Sequence, residues 1–202
     1  MSLAGQMSET ARRRAAYANG ERKRAEIVDA ALAVFARKGF RRFSLRQIAE
    51  ELGTTHVSLR YHFGTKDGLL RAVLDEREDR DRPWREGVLR EKGLFDGVPE
   101  IIRRNATRRG VVHLDATLQA EGIADDHPVH EFVRRREQVF HQDLRRLLEI
   151  ERDGGRLRAG LDPGVVAWQL VALIEGLQVQ WLYDEGVDVS GHLSAFMDYL
   201  RA

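Results

Sequence analysis

Arg46-Gln47-Ile48-Ala49-Glu50-Glu51-Leu52-Gly53-Thr54-Thr55-His56-Val57-Ser58-Leu59-Arg60-Tyr61-His62-Phe63 decides the reading of this chain. It holds two short apolar-periodic runs separated by a turn with glycine, the layout of a helix-turn-helix. Ile48, Ala49 and Leu52 give the first run one buried side, with a small alanine where a second helix can cross closely, and Gly53 permits the turn. Ser44 with Gln47 three positions later forms a capping box, opening a helix over residues 45–52. Thr55 stands where it caps a second helix over 56–63. Leu59 and Phe63, four apart, anchor that second helix inward, so the opposite side presents Val57, Ser58 and Tyr61, with Arg60 and His62 on its flanks. Outward Val and Tyr need a covering surface. A DNA major groove supplies one: thymine methyls for Val57 and Tyr61, phosphates or base edges for Ser58 and His62, and guanine or phosphate for Arg60. Thr55 and His56 lie at the end that enters the groove. The plainer alternative is a helical hairpin whose Val57 and Tyr61 are covered by another helix of the same chain.

Working outward, the periodicity predicts helix almost everywhere and no strand. A first helix over 21–38 carries Ile27, Ala31, Val34 and Phe35 on one stripe, with Gly39 as its cap and Phe40 and Phe43 bracketing a short link. Thr65 caps a fourth helix bearing Leu69, Leu70, Val73 and Leu74. Pro83 with Trp84 is expected to kink or restart it, and Gly93, Gly97 and Pro99 to mark a loop. Further helices are expected over 98–109, 111–121, 129–152, 164–183 and 191–201, with Asp162 and Pro163 as cap and first-turn proline of the penultimate one. The fold class is all-α, with about nine helices and no internal repeat.

The 202 residues are 43% apolar and 32% charged, with 33 Lys and Arg, 32 Asp and Glu, and no cysteine. This excludes a disordered chain, a disulfide scaffold, a thiolate zinc site and a cysteine nucleophile. Residues 1–20 are polar, carry Arg12, Arg13 and Arg14, and lack the apolar core of a signal peptide, so they are expected to be a basic flexible tail. Met7 reads as the native start behind an appended 1–6. The most apolar stretch, 165–182, is interrupted by Gln169, Glu175, Gln178 and Gln180, which disfavours a membrane span, and the expected location is cytoplasmic. Charge is divided along the chain. Residues 1–75 hold 14 Lys and Arg against 8 Asp and Glu, while 76–202 hold 19 against 24. A basic front with an acidic remainder fits an anionic partner met by the front alone.

Phe43-Ser44-Leu45-Arg46-Gln47-Ile48-Ala49-Glu50-Glu51-Leu52-Gly53, followed by Ser58-Leu59-Arg60-Tyr61-His62-Phe63-Gly64-Thr65-Lys66-Asp67-Gly68-Leu69-Leu70, resembles the tetracycline-repressor (TetR) family of transcriptional regulators. The likeness covers residues 27–70. It implies a three-helix DNA-binding domain (residues 21–66) joined by a fourth helix to a larger helical domain (67–202) for effector binding and dimerisation. It also implies that Arg46 contacts a base or phosphate, that Ser58, Arg60 and His62 occupy contacting positions, and that Lys66 contacts a phosphate. Arg60 stands where the family usually has an aromatic residue, so its contact becomes charge-assisted or a guanine reading. The basic residues 12–14 and 22–24 are within reach of adjacent phosphates or else form a solvated tail.

No nucleophile elbow, phosphate-cradling glycine loop or His-Glu-x-x-His helix is present, so no enzyme and no cofactor are expected. Asp125, Asp126, His127 and His130 bring metal-ligand types together, but Asp and Pro at a helix start read as capping, and no metal is assigned. The helix over 164–183 is apolar nearly all round and must be enclosed on more than one side. Its run 173–182 also resembles the penultimate helix of TetR-like regulators, which implies a homodimer through Leu173, Gly176, Leu177, Gln180, Trp181 and Phe196. An effector pocket is placed within 98–181, with Leu114, Leu118, Phe132, Phe140 and Trp168 as apolar walls and His113, Gln119 or Gln178 orienting a polar group. The functional expectation is a ligand-released homodimeric repressor that binds double-stranded DNA at a near-palindromic operator. The alternatives are a helical carrier of apolar small molecules and an effector-less DNA-binding scaffold.

Overall fold

A computed structural model gives the architecture; it describes residues 3–38 and 44–202, with side chains from Tyr17 onward. Gly39, Phe40 and Phe43, expected to end the first helix and bracket the link, lie outside the described residues. Among the described residues eight helices follow in order: α1 Leu3–Lys38, α2 Leu45–Glu51, α3 His56–Phe63, α4 Lys66–Asn105, α5 Arg109–Glu121, α6 His130–Asp153, α7 Pro163–Tyr183 and α8 Val189–Leu200. The fold is all-α; among the described residues the sole β pairing is an isolated bridge between Leu157 and Arg201.

Three differences from the sequence reading have local causes. α1 starts at Leu3, not near residue 21, so the stretch expected as a flexible tail is helical; Ala4, Ala11, Ala15, Ala16 and Ala18 supply strong helix propensity there. α4 runs straight through Pro83. Pro83 and Asp79, four residues before it, are both exposed, so the carbonyl that loses its N–H partner is on the solvent side. The break falls at Gly93, where φ is 71° and ψ −171°, a conformation only glycine adopts readily, and Gly97 and Pro99 are buried within the following arm instead of forming a loop. Counted as one element kinked at Gly93, α4 takes in both the helix expected after Thr65 and the one expected over 98–109, which is why eight stand where about nine were expected.

The chain divides into two compact units, Met1–Glu76 and Arg77–Ala202. In the first, Ile27, Val28, Ala31, Val34 and Phe35 of α1, Ile48 and Ala49 of α2, Leu59 of α3, and Leu69, Leu70 and Val73 of α4 are buried. In the second, one core gathers Leu94, Val98 and Ile102 of α4, Leu144 and Leu148 of α6, Val166, Leu170 and Ile174 of α7, and Leu193 and Met197 of α8. α7 is long and apolar enough by length and composition to cross a membrane. Its Val166, Ala167, Leu170 and Ile174 are instead enclosed in this core. Asp162 caps α7 by accepting from the Val165 N–H at 2.9 Å, with Pro163 in the first turn, as the sequence predicts.

Candidate nucleic-acid interface

The helix-turn-helix is set by short-range hydrogen bonds. The Ser44 hydroxyl accepts from the Gln47 N–H at 3.3 Å, and the Ser44 N–H donates back to Gln47 Oε1 at 2.8 Å, closing the predicted capping box of α2. Gly53, at φ 60°, makes the turn. Thr55 Oγ1 accepts from the Ser58 N–H at 3.1 Å and starts α3. Gly64, at φ 70°, ends it, and Thr65 Oγ1 accepts from the Gly68 N–H at 3.0 Å to start α4.

α3 is held from one side. Leu59 is fully buried, while Val57 is 75% and Tyr61 84% exposed. Among the described residues, no helix of the kind the plainer alternative required covers these two side chains. His56 and Arg60 are also exposed, and Ser58 and His62 are half-buried. The His62 ring meets Tyr61 edge-on, with centroids 5.1 Å apart, so it braces the outward tyrosine. Thr55 is exposed with its hydroxyl engaged in capping, which leaves its methyl group for an apolar contact. On α2, Arg46 stands in solvent with Glu50 Oε1 3.4 Å from its Nε, an exchangeable surface pair. Lys66 is half-buried in the first turn of α4. Local pattern had not shown the Arg24 guanidinium lying over the Phe63 ring, 5.5 Å from its centroid, a contact between α1 and the end of α3.

The residues proposed for effector binding in the second unit scatter. Leu114 and Leu118 are buried, and Phe132, Phe140, Gln119 and Gln178 are half-buried. His113 is exposed, and Trp168 is 64% exposed, its ring tilted against His141 with centroids 4.1 Å apart. These two do not line an interior wall, because their positions on α5 and α7 face away from the shared core. Gln119 is placed between two carboxylates: its Nε2 donates to Glu137 Oε1 at 3.0 Å and to Glu175 Oε1 at 2.7 Å. Beside them lies an ion network invisible to local pattern. Arg77 donates twice to Asp115, at 2.6 and 2.7 Å, and Arg136 once, at 2.9 Å. Burial would raise the Asp115 carboxyl, but Arg136 and Arg77 outweigh it and hold the group below its ordinary range. Asp81 is likewise buried, with Arg108 at 2.7 Å and Arg104 at 3.4 Å. The spacing of Asp115 and Gln119, four apart on α5, was the one available signal that a polar face turns inward.

Among the dimerisation candidates, Gly176 and Gln180 are exposed, and Leu173, Leu177 and Phe196 are half-buried. Trp181 is buried by its own chain, with the Arg109 guanidinium 5.5 Å from its ring centroid, and so does not belong to the outer face. The outer face of α7 is instead Val165, Trp168, Ala172, Gly176, Gln180 and Tyr183, spaced three or four apart. At the start of α6, Val129 is the N-cap residue and no side chain caps the helix, so the capping role expected of the aspartates does not hold. His130 Nδ1 lies 2.8 Å from the Gly122 carbonyl oxygen, and His127 Nδ1 accepts from the Val129 N–H at 3.3 Å.

The family model described as "Bacterial regulatory proteins, tetR family" matches residues 27–73, and that described as "BetI-type transcriptional repressor, C-terminal" matches 96–202. The chain is 28% identical over 191 residues to the HTH-type transcriptional regulator TtgR of Pseudomonas putida, covering 87% of this chain and 88% of that one. It is 26% identical over 172 residues to the A-factor receptor protein of Streptomyces griseus, covering 83% of this chain and 58% of that longer protein. Its fold superposes with a TM-score of 0.69 on NalD, the secondary repressor of the MexAB-OprM multidrug efflux pump in Pseudomonas aeruginosa, at 25% identity and covering 91% and 98% of the two chains. Neither carrier nor scaffold is favoured by this company. The protein belongs to the TetR family and is a DNA-binding transcriptional regulator of the ligand-responsive repressor type.

Proposed function

We propose that this regulator acts as a cytoplasmic homodimer that reads a near-palindromic operator with α3 in the major groove and is released by a small-molecule effector. The observation that carries the reading is the outward α3 surface, where Val57 and Tyr61 stand in solvent on a unit with a surplus of basic residues. Apolar and aromatic groups held outward by a rigid capped helix fit thymine methyls, and Arg46, Arg60 and Lys66 supply cations for phosphates or guanine. His56, Ser58, His62 and Thr55 complete the contacting set. Residues 21–66 form the reading part, and 67–202 the effector and dimer part.

Two copies would meet through α7 and α8, whose exposed large apolar side chains include Val165, Trp168 and Tyr183 of α7 and Tyr199 of α8. Two recognition helices related by a dyad would read half-sites about 34–36 Å apart. The effector enters the α5–α6–α7 region, near Leu114, Leu118, Phe140 and Gln119, and binds better to the conformer that does not fit DNA. No catalytic step is assigned to any residue.

The test is selection of bound duplexes from a random-sequence library by the full chain, followed by footprinting of the winner. A dyad-symmetric footprint that is lost in Tyr61→Ala and Arg60→Ala, with retained helicity, is the expected result. Enrichment of no sequence, or a footprint without dyad symmetry, overturns the reading.

A further inference from the structure

α7 carries a single charged residue in its 21, Glu175, which lies half-buried in an otherwise uncharged helix. It does not point to a counter-ion. Its Oε1 accepts from Gln119 Nε2 of α5 at 2.7 Å, and the same Nε2 donates to Glu137 Oε1 of α6 at 3.0 Å, so one amide nitrogen gathers both carboxyl groups. One amide and two carboxyls from three helices thus meet at a point. Two carboxylates gathered on one amide nitrogen repel each other when both are ionised, so the closed arrangement favours keeping one proton on the pair. Other groups facing the pair do not remove that need. From α6, Arg136 lies 3.8 Å from Glu137 and also acts to lower Glu175, but it is held at 2.9 Å by Asp115 and its pull is smaller than the effects of burial and of Glu137. From α5, Asp115 itself is negative and is held by Arg77 of α4. Glu78 of α4 also attracts Arg136. α8 packs on α7 through Leu193, Met197 and Leu200, and its His192, Asp198 and Tyr199 are exposed.

We propose that Glu137 and Glu175, bridged by Gln119, form a proton-operated latch across α5, α6 and α7, closed while the pair shares a proton and weakened when the proton leaves. The geometry has the expected titration. Burial, and then the Glu137 carboxyl, push Glu175 up to about 7. A carboxyl whose pKa is raised in the closed form contributes stability that is full below its ordinary range. That stability drains away as pH rises toward 7 and levels off above it. Any conformer that parts α6 from α7 therefore sheds a proton and is favoured as the solution approaches neutrality. The latch adds regulation to the proposed effector unit, yet its readout below needs neither DNA nor effector, so the latch and the repressor reading fail separately.

Amide hydrogen exchange of the full chain between pH 5 and 8, corrected for the intrinsic pH dependence of exchange, tests it. In the wild type, local opening of α6 and α7 around residues 137 and 175 rises about tenfold up to pH 7 and then flattens, less than full linkage because the pair is partly solvated. Glu175→Gln, whose amide supplies a permanent donor to Glu137, removes that rise, leaving opening in these segments level with pH. Parallel profiles in the two proteins overturn the proposal. Should Glu175→Gln fail to fold, the infrared band of a protonated carboxyl decides: present in the wild type at pH 6, fading by pH 8 and absent in Glu137→Gln supports the latch. No such band in the wild type at pH 6 overturns it.

Discussion

In the unit Met1–Glu76, Ile48, Leu59 and Phe35 are sealed inside while Arg46, Arg60 and Tyr61 stand in solvent. In the unit Arg77–Ala202, Asp81, Asp115 and Glu175 lie within the helical packing, braced by Arg77, Arg108, Arg136 and Gln119. The first unit turns apolar side chains inward and keeps Arg46, Arg60 and Tyr61 at its surface. The second commits charge to its interior, where removing a single member takes from its neighbours their closest partner. A surface that meets a polyanion needs rigid support and cations within reach of solvent; under the proposed function, a unit that changes shape gains from polar contacts with more than one arrangement. The contrast is one of chemistry as well as of place.

The largest expected effect lies in the second unit. Asp115→Ala leaves Arg77 and Arg136 facing each other without their shared carboxylate and is expected to cost about 3–5 kcal/mol, read from chemical denaturation. A loss under about 1 kcal/mol would show that these charges are solvated and the comparison false. The same group fixes a pH effect. Asp115 is held below its ordinary range in the folded chain, so its contribution is present above that range and is lost as pH falls through and below about 4; Asp115→Asn removes this acid sensitivity from a denaturation series.

Next in size, Leu59→Ala hollows the apolar anchor of α3, which is fully buried, and is expected to cost about 2–5 kcal/mol of first-unit stability, with DNA binding lost as a consequence. Circular dichroism during thermal unfolding checks it. Tyr61→Ala sharpens the comparison from the opposite side: the ring is 84% exposed, so the melting temperature is expected to hold. Affinity for a selected duplex should fall by about 1–3 kcal/mol. The smallest effect belongs to Arg46→Ala, which is expected to lower the slope of log affinity against log salt by about 1 per site while leaving sequence preference unchanged. A changed base preference would move Arg46 from phosphate to base reading.

Much of the first unit was legible beforehand because its determinants are local. Ser44 and Gln47 are three residues apart, as are Thr55 and Ser58, and Leu59 and Phe63 are four apart; the backbone hydrogen bonds they complete lie within a turn. Reading the second unit by the same means placed its helices but not its surfaces. Trp168 and Trp181 sit on one apolar helix, and periodicity cannot tell which side of such a helix is covered. The structure turns Trp168 out against His141 and Trp181 in beneath Arg109. Pro83 misled for a related reason: whether a missing N–H breaks a helix depends on which side meets solvent.

By itself the sequence settled the all-helical class, the helix-turn-helix with its caps, and the outward set on α3, all of which follow from contacts between residues a few positions apart. Tertiary structure alone decided which charges are interior. Arg77 meets Asp115 across 38 positions, and Gln119 meets Glu175 across 56. Pairing at such separations depends on how helices pack against one another, and no local periodicity encodes it.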